Sequence, residues 1–212
     1  MLLNLREDYQ SPKLEITDLG ENPFVQFHHW FQDALKAGVR EPNAMTLATC
    51  TPEGRPSARI VLLKGYGEDG FTFFTNYESR KGKELSLNPY AALVFLWLDL
   101  HRQIRIEGCV EKMDDRESEA YFQSRPRGSQ LGAWASPQSQ VLSGRKVLEE
   151  KVKLMEKQFE GIQKLPLPSF WGGYVLKPDV VEFWQGQTSR LHDRLRYVLQ
   201  PEGEWEIERL AP

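Results

Sequence analysis

The chain has 212 residues and a formal net charge of −3, with 40% hydrophobic and 27% charged residues. This composition is typical of a globular protein with a sizeable core, and it lacks the excess of basic charge expected of a nucleic-acid-binding barrel. No apolar run approaches the roughly 20 residues of a membrane span, and the N-terminus has no signal-peptide layout. We therefore expect a cytoplasmic protein without nucleic-acid or membrane partners, in which any anion is bound locally.

The N-terminal region divides into an arm and a helix. Residues 1–20 are polar, of mixed charge and weakly periodic, which predicts an arm ahead of a single domain over residues 21–212. Asn22 and Pro23 are typical of a helix cap and first position. Four apolar residues then recur at helical spacing and predict its buried face: Phe24, Phe27, Phe31 and Leu35.

From Ala44 onward the pattern becomes one of short β-strands separated by turn residues. The predicted strands span 44–51, 57–64, 71–75, 90–98, 102–112, 171–177, 180–185, 191–199 and 205–210. Further helices are predicted at 79–88, 115–124 and 143–159, the last with an apolar stripe of Leu148, Val152, Met155 and Phe159. Hairpins outnumber βαβ units, so we expect an α+β fold with a mostly antiparallel, barrel-like sheet and surrounding helices.

The cysteines and histidines give little sign of metal or disulfide chemistry. Cys50 and Cys109 lie in predicted strands without metal-ligand spacing around them, which favours two buried, reduced thiols. Only four histidines are present, so a metal site has little support.

The segment Ser79-Arg80-Lys81-Gly82-Lys83 is a strong local signal for phosphate. Ser79 is a natural N-cap, and it places three cations in the first turn of the predicted helix. Positive charge there opposes the helix dipole, whereas a phosphate would meet both free N–H groups and basic side chains. The alternative is a basic turn that is merely tolerated at the surface.

Arg59 and Lys64 lie on one predicted strand with opposite parity, about 16 Å apart. Unless a bulge intervenes, they cannot both bind one phosphate, so we expect them to bind two different anionic groups. A solvated Arg59 and a Lys64 that simply ends the strand are the alternative.

A second set of candidate phosphate ligands is Tyr121, Arg125 and Ser129. Tyr121 and Arg125 are four residues apart and share one helical face. Pro126 disfavours continuation of that helix, so Ser129 is expected to reach the same point from a following turn. These three side chains offer several hydrogen-bond donors to phosphate oxygens, although such trios also arise by chance.

Near the C-terminus, Arg190, His192 and Arg194 alternate with Leu191 and Asp193, at the start of the predicted strand 191–199. In an extended strand they share one face, and such a row is costly to assemble without an anion. A cross-strand ion pair with a C-terminal glutamate is the alternative for Arg190. Asp193 points to the other face and is expected to be structural.

These motifs together resemble the pyridoxamine 5'-phosphate oxidases, FMN enzymes that make pyridoxal 5'-phosphate. The resemblance runs from about Leu5 to Pro212 and is carried by Arg59-Ile-Val-Leu-Leu-Lys64, the Ser-Arg-Pro-Arg-Gly-Ser-Gln-Leu-Gly-Ala-Trp motif at 124–134, Phe183-Trp184-Gln185-Gly186 and Arg190-Leu-His-Asp-Arg194. It implies a split β-barrel and a homodimer with FMN at the subunit interface.

The resemblance also implies site residues. The FMN contacts it implies are Arg59, Ile60, Val61, Leu62, Leu63, Lys64, Phe74, Thr75, Arg80, Lys81, Gln103, Gln138, Ser139, Trp184 and Arg194. The substrate contacts it implies are Arg6, Tyr9, Lys64, Tyr121, Arg125, Ser129, Arg190, Leu191 and His192. Arg190 and His192 are expected to be the catalytic pair, and no metal is implied. From the residues alone, Gln103 is equally well explained as surface decoration, and Trp184 as a core aromatic.

The implied reaction removes two hydrogens from the 4' carbon of pyridoxine or pyridoxamine 5'-phosphate. A hydride passes to the flavin, O2 reoxidises the flavin to give H2O2, and ammonia leaves after hydrolysis when the substrate is the amine. The family's arm carries an Arg-x-x-Tyr element over the substrate, and Arg6 and Tyr9 preserve it here, with an acidic pair between them. The arm is thus a hypothetical lid over the active site.

Two other readings stay open on the same scaffold. A non-catalytic flavin or pyridoxal-phosphate carrier would bind cofactor without releasing peroxide, but has less need of the polar row from Arg190 to Arg194. A flavin reductase would consume a nicotinamide donor.

Overall fold

The computed structural model describes residues 8–212. This part of the chain contains nine β-strands: β1 Ala44–Cys50, β2 Pro56–Leu62, β3 Gly65–Gly67, β4 Gly70–Asn76, β5 Tyr90–Trp97, β6 Arg102–Lys112, β7 Trp171–Gln185, β8 Asp193–Leu199 and β9 Trp205–Arg209. It also contains five α-helices: α1 Pro23–Lys36, α2 Arg80–Leu87, α3 Asp115–Ser124, α4 Arg127–Ala135 and α5 Arg145–Gln158. None of these helices has the length and apolar character needed to cross a membrane.

All strand pairs are antiparallel, and the strands form one sheet in the order β2-β1-β5-β6-β7-β4-β3, with β8 on β7 and β9 on β8. The two ends of this path, β2 and β3, are joined by only Leu63 and Lys64. Two residues span at most about 10 Å, so the sheet must curl until its first and last strands meet. The backbone N–H of Lys64 donates to the Thr72 carbonyl of β4 (2.8 Å) at this seam. The predicted antiparallel, barrel-like α+β fold is confirmed.

Helix α1 starts where the sequence predicts, because the Asn22 side chain accepts hydrogen bonds from the N–H groups of the first turn. Its buried face, however, is formed by Phe27, Trp30 and Ala34, and Leu35 is 49% exposed. The prediction for Leu35 was wrong because it lies about 100° around the helix from Ala34.

Strand β7 is one continuous strand of 15 residues, whereas the sequence predicted two strands separated near Asp179. The pairing with β6 shifts between Glu107 and Gly108, opposite Pro178 and Val180, which leaves Asp179 in a bulge. Gly108 is required there, because a Cβ would overlap the Lys177 carbonyl oxygen. The sequence prediction was wrong because Pro178 suggests a strand break, whereas the strand continues through it by means of the bulge at Asp179.

The core consists of two clusters of buried side chains. The larger one fills the curled sheet, where the Phe27 ring contacts Tyr66, Phe71 and Phe95 at centroid distances of 4.8, 4.9 and 5.2 Å. The smaller one lies under the C-terminal helices and comprises Phe122, Leu131, Phe159, Leu165 and Trp171.

The helices around the smaller cluster depart from the prediction in two ways. Helix α4 was missed: Pro126 ends α3 as expected but also forms the N-cap position of a new helix. On α5, Phe159 is buried at the end of the predicted apolar stripe, while the other members of the stripe are half-buried.

The two cysteines are free thiols and half-buried, so the expected full burial was wrong. The Cys50 Sγ accepts a hydrogen bond from the Asn88 side chain (3.0 Å).

The corrected face of α1 gives a direct stability test. Phe27→Ala is expected to lower the free energy of unfolding by about 3–5 kcal/mol, because it removes a fully buried ring and leaves a cavity. Leu35→Ala on the same helix is the control and is expected to change it by about 0.5 kcal/mol or less. Urea unfolding of both variants measures the difference, and equal losses would contradict the assigned face.

Candidate active site

The N-terminus of α2 is built as an anion cradle. The Ser79 hydroxyl caps the helix by accepting from the Gly82 N–H (3.3 Å). Glycine is required at position 82 because a Cβ there would overlap the Tyr77 carbonyl oxygen. The helix therefore starts in close contact with the preceding turn. The first turn then presents Arg80 and Lys81 where the helix dipole is positive, an arrangement that favours a bound anion.

Lys81 is a buried cation surrounded by neutral partners. It is only 9% exposed, and its Nζ donates to the Thr75 hydroxyl (3.1 Å) and the Gln138 side-chain carbonyl (3.0 Å). Burial, and secondarily the nearby Arg59, lower the pKa of Lys81. No carboxylate in residues 8–212 forms an ion pair with it, so the ammonium lacks the counter-charge that buried ions require. A phosphate group supplies that charge, and the cradle therefore fits a phosphorylated ligand.

Glu84 organises the neighbouring cations from within the same helix. Its buried carboxylate accepts hydrogen bonds from Thr49, Ser57 and Arg80, and it lies 3.4 Å from an Nη of Arg59. Burial acts to raise the pKa of Glu84, but the hydrogen bonds from Ser57, Thr49 and Arg80 outweigh it and lower the pKa to about 2. The carboxylate thus stays ionised and orients two arginines at the cradle.

Arg59 is part of this cluster and is half-buried. It donates to the Leu47 carbonyl (3.1 Å) and the Thr49 hydroxyl (2.6 Å) as well as facing Glu84. Burial lowers the pKa of Arg59, and the charge of Glu84 partly offsets that effect. Arg59 is therefore not a solvated surface charge.

A second group of aromatic and basic side chains lies at the barrel seam. Phe74 and Tyr121 stack at 3.9 Å between ring centroids, and the Arg125 guanidinium lies 4.7 Å from the Trp171 ring centroid. The Lys64 Nζ lies 5.8 Å from the Tyr121 ring centroid. The structure therefore brings Lys64, Tyr121 and Arg125 together, whereas Arg59 contacts Thr49 and Glu84.

The Arg125 guanidinium makes no hydrogen bond within residues 8–212. Its Nη1 is buried and has no hydrogen-bond partner in the described chain, and burial lowers the pKa of Arg125. The Gln130 side chain donates to the carbonyls of Phe122 (2.9 Å) and Arg125 (3.2 Å), which fixes the turn between α3 and α4. Ser129 lies exposed in the first turn of α4 rather than in an irregular turn. A buried guanidinium without a hydrogen-bond partner fits a second phosphate.

A third group forms around Trp184 on β7. The Trp184 ring lies 4.6 Å from the His192 ring and 5.9 Å from the Tyr9 ring, so it is half-buried against polar aromatics rather than in the core. Gln103 is directly opposite Trp184 in the β6–β7 register. Arg194 pairs with both Glu182 oxygens at 2.8 and 3.0 Å, and this pairing raises the pKa of Arg194.

The row of Arg190, His192 and Arg194 on one strand face was predicted wrongly. Residues Thr188–Arg190 form a short 3-10 turn in which Ser189 and Arg190 have φ of 56° and 61°, and β8 begins only at Asp193. Arg190 is exposed and has no ion pair within residues 8–212. Asp193 is structural, as expected: it accepts from Gln187, Leu14 and Arg209.

The remaining predicted residues fall at the edges of these groups. Ile60 and Leu62 are exposed on the outer face of β2, while Val61 and Leu63 turn inward. Gln138 contacts Thr75 and Lys81. Ser139 and Leu191 are exposed. Arg6 lies outside the described residues.

Sequence reasoning missed two residues that organise these groups. Glu84 lies four residues after Arg80 and was detectable as a helical ion pair. Gln187, whose backbone N–H donates to His192 Nδ1 (3.0 Å), gave no signal because the contact depends on the turn.

Comparison with known proteins places this arrangement in one family. The family model described as Pyridoxamine 5'-phosphate oxidase matches residues 31–159, and the one described as Pyridoxine 5'-phosphate oxidase C-terminal dimerisation region matches residues 171–212. The chain therefore belongs to the pyridoxamine 5'-phosphate oxidase family.

Full-length relatives and solved structures agree with this assignment. Proteins named pyridoxine/pyridoxamine 5'-phosphate oxidase from Salinibacter ruber and a Nostoc species are 55% and 53% identical, with 100% of this chain covered in each case and 99% and 98% of the relatives. The structure of PhzG from Burkholderia lata, in complex with tetrahydrophenazine-1-carboxylic acid, is 31% identical with a TM-score of 0.87, over 95% of this chain and 99% of that one. A pyridoxamine 5'-phosphate oxidase-related, FMN binding protein from Nostoc punctiforme shares the fold at 19% identity and a TM-score of 0.71, over 92% of this chain and 100% of that one.

The low pKa of Glu84 makes its contribution to stability depend on pH. Because the folded-state pKa is depressed, the contribution is complete above the ordinary glutamate range and is lost as the pH falls towards 2. Glu84→Gln is expected to be less stable than the wild type by on the order of 2 kcal/mol at neutral pH, and this gap should close in acid.

Urea unfolding of the flavin-free protein across this pH range measures the gap. Glu78→Gln, at an exposed position on the preceding turn, is the matched control for charge removal. It should lower the free energy of unfolding at neutral pH by less than Glu84→Gln does. If the difference in free energy of unfolding between the wild type and Glu84→Gln did not change with pH, the claim that an ionised Glu84 orients the two arginines would be wrong.

Proposed function

We propose that this chain is an FMN-dependent oxidase that converts pyridoxamine 5'-phosphate or pyridoxine 5'-phosphate to pyridoxal 5'-phosphate with O2 as the electron acceptor. The observation that carries the proposal is the presence of two separate cradles, each with a buried cationic donor that forms no ion pair within residues 8–212. These donors are the Lys81 ammonium and the Arg125 Nη1. Two cradles match a phosphorylated cofactor and a phosphorylated substrate.

The cradle at α2 suits the FMN phosphate. Arg59, Arg80 and Lys81 would hold the phosphate oxygens, with Thr75 and Gln138 completing the shell around the Lys81 ammonium. Gln103, Trp184 and Arg194 are proposed to contact the flavin ring or its chain. Bound FMN supplies the hydride acceptor and the reaction with O2, chemistry that no side chain can provide.

The cradle at the seam suits the phosphate of the B6 substrate. Lys64 and Arg125 would neutralise its charge, and Tyr121 and Ser129 would donate hydroxyl hydrogen bonds. Because Gln130 and the stacked rings fix Arg125, the substrate phosphate is positioned without reorganising the site.

The position of FMN between two subunits is part of the proposal. The cradle at α2 and the Trp184 group lie at opposite ends of β7: Thr75 pairs with Gly172, whereas Gln103 pairs with Trp184. Twelve residues of strand trace a path of roughly 40 Å along β7, which is longer than one FMN molecule. A second copy of the chain can bring its Trp184 group to the α2 cradle of the first. The match of β7–β9 to a dimerisation region supports this arrangement.

His192 and Arg190 are proposed to act on the substrate ring. Because His192 Nδ1 accepts the Gln187 N–H, the neutral imidazole carries its proton on Nε2 and can donate it to the substrate's 3' oxygen. Arg190, always cationic and exposed on its turn, can pin the ring substituents. The 4' carbon loses a hydride and its hydroxyl or amine loses a proton. O2 takes up the two electrons and two protons as H2O2, and water displaces ammonia from the imine when the substrate is the amine.

The arm is proposed to close over this end of the site. Tyr9 packs against His101 and His192, and Asp8 accepts from the Ser189 N–H (3.1 Å). These contacts place the first described residues of the arm over the Trp184 group. We propose that the arm is a lid over one catalytic domain.

The reaction is tested by peroxide release. Purified protein is expected to be yellow and to release H2O2 with both phosphorylated vitamers. His192→Asn should keep its flavin while turnover falls roughly 10- to 100-fold, because a hydrogen bond to the substrate is lost. The exposed His29→Asn on α1 is the control. A colourless protein after soaking in FMN, or flavin loss in His192→Asn, contradicts the proposal.

The shared site is tested with mixed dimers. Chains carrying Lys81→Met and chains carrying His192→Asn are each expected to be poorly active as homodimers. A heterodimer isolated through two different tags should recover about half the wild-type peroxide rate, since one of its two sites contains both intact residues. If each chain held a complete site, no activity would return.

A further inference from the structure

The orientation of His192 depends on a neighbour outside the catalytic pair. The Gln187 backbone N–H donates to His192 Nδ1 at 3.0 Å. An N–H that points at Nδ1 requires an acceptor there, so this contact selects the tautomer with its proton on Nε2. Without it, no hydrogen bond within residues 8–212 selects one tautomer of the imidazole.

The contact exists only because the backbone between the two residues is folded back. Ser189 and Arg190 both have left-handed φ, a conformation that is unfavourable for residues with a Cβ. Two successive residues of this kind need support from outside the turn. Asp8 provides part of it by accepting from the Ser189 N–H.

The Gln187 side chain anchors the other end of the turn. Its Nε2 donates to the Pro12 carbonyl (2.9 Å) and to the Asp193 carboxylate (3.0 Å). Asp193 is itself held by the Leu14 N–H (3.1 Å) and by Arg209 (2.8 Å). The amide therefore links the arm, the start of β8 and the C-terminal strand.

We infer that Gln187 is a positioning residue that fixes the Nε2–H tautomer of His192 and couples it to the docked arm; this inference rests on the proposed role of His192. When the arm lies on Gln187 through Pro12, the amide is immobile and its backbone N–H faces the imidazole. Loss of the side-chain anchor frees the turn, and the selection of the tautomer is lost with it.

The inference is tested by determining the tautomer of His192 in the FMN-bound protein by NMR. Histidine labelled with 15N distinguishes Nδ1–H from Nε2–H by long-range 1H–15N correlation, and the spectrum of His192→Asn assigns the signal. The wild type is expected to show the Nε2–H form. Gln187→Met, which keeps the side-chain length but removes both anchors, should show both tautomers.

A second variant and a control complete the experiment. Gln187→Glu cannot donate to Pro12 or Asp193 and should give the same mixture, whereas Gln200→Met, at an exposed glutamine contact, should not change the spectrum. Turnover of the Gln187 variants should fall about fivefold with flavin content unchanged.

The outcomes separate this inference from the proposed function. A wild-type Nδ1–H signal, or an unchanged His192 signal in both Gln187 variants, would overturn the positioning role even if turnover falls. Absence of peroxide from the wild type with either vitamer would contradict the proposed function and leave the tautomer result standing.

Discussion

Closure of the sheet through Leu63 and Lys64 is the constraint on which the rest of the structure depends. A two-residue link between the first and last strands of the path forces the sheet to curl and places Lys64 at the seam. The same strand carries Arg59 five residues earlier, beside α2. Strand β2 and the link after it thus supply a cation to each of two cradles, and their separation is set by backbone geometry rather than by flexible side chains.

The charges at α2 suit a dianion even though the chain has a small net negative charge. Arg59, Arg80 and Lys81 contribute three positive charges and Glu84 removes one, which leaves two. A phosphate monoester carries nearly two negative charges at neutral pH. Glu84 therefore orients the arginines while leaving a net positive charge, and its carboxylate reduces the repulsion among the three cations.

Local elements were predictable from the sequence where one physical signal dominated. Ser79 and Asn22 mark their helix starts because capping requires only neighbouring residues. Most strand bounds follow from alternation and turn residues. The failures arose where tertiary contacts override a local pattern: β7 runs through Pro178 because Gly108 of β6 accommodates the bulge. The segment before β8 reads as a strand but folds into a turn held by Asp8 and Gln187.

The α2 cradle and the turn that carries Arg190 also differ in how rigidly they are held, which fits their proposed ligands. Lys81 is buried and Arg59 half-buried, with their partners on strands and a helix, so the α2 cradle exists before any ligand arrives. Arg190 and Leu191, in contrast, are exposed on a turn supported by the arm. Elements with few buried contacts open most readily. A rigid cradle suits a cofactor that stays bound through many turnovers, whereas the turn and the arm suit the reacting ring of a substrate that must enter and leave.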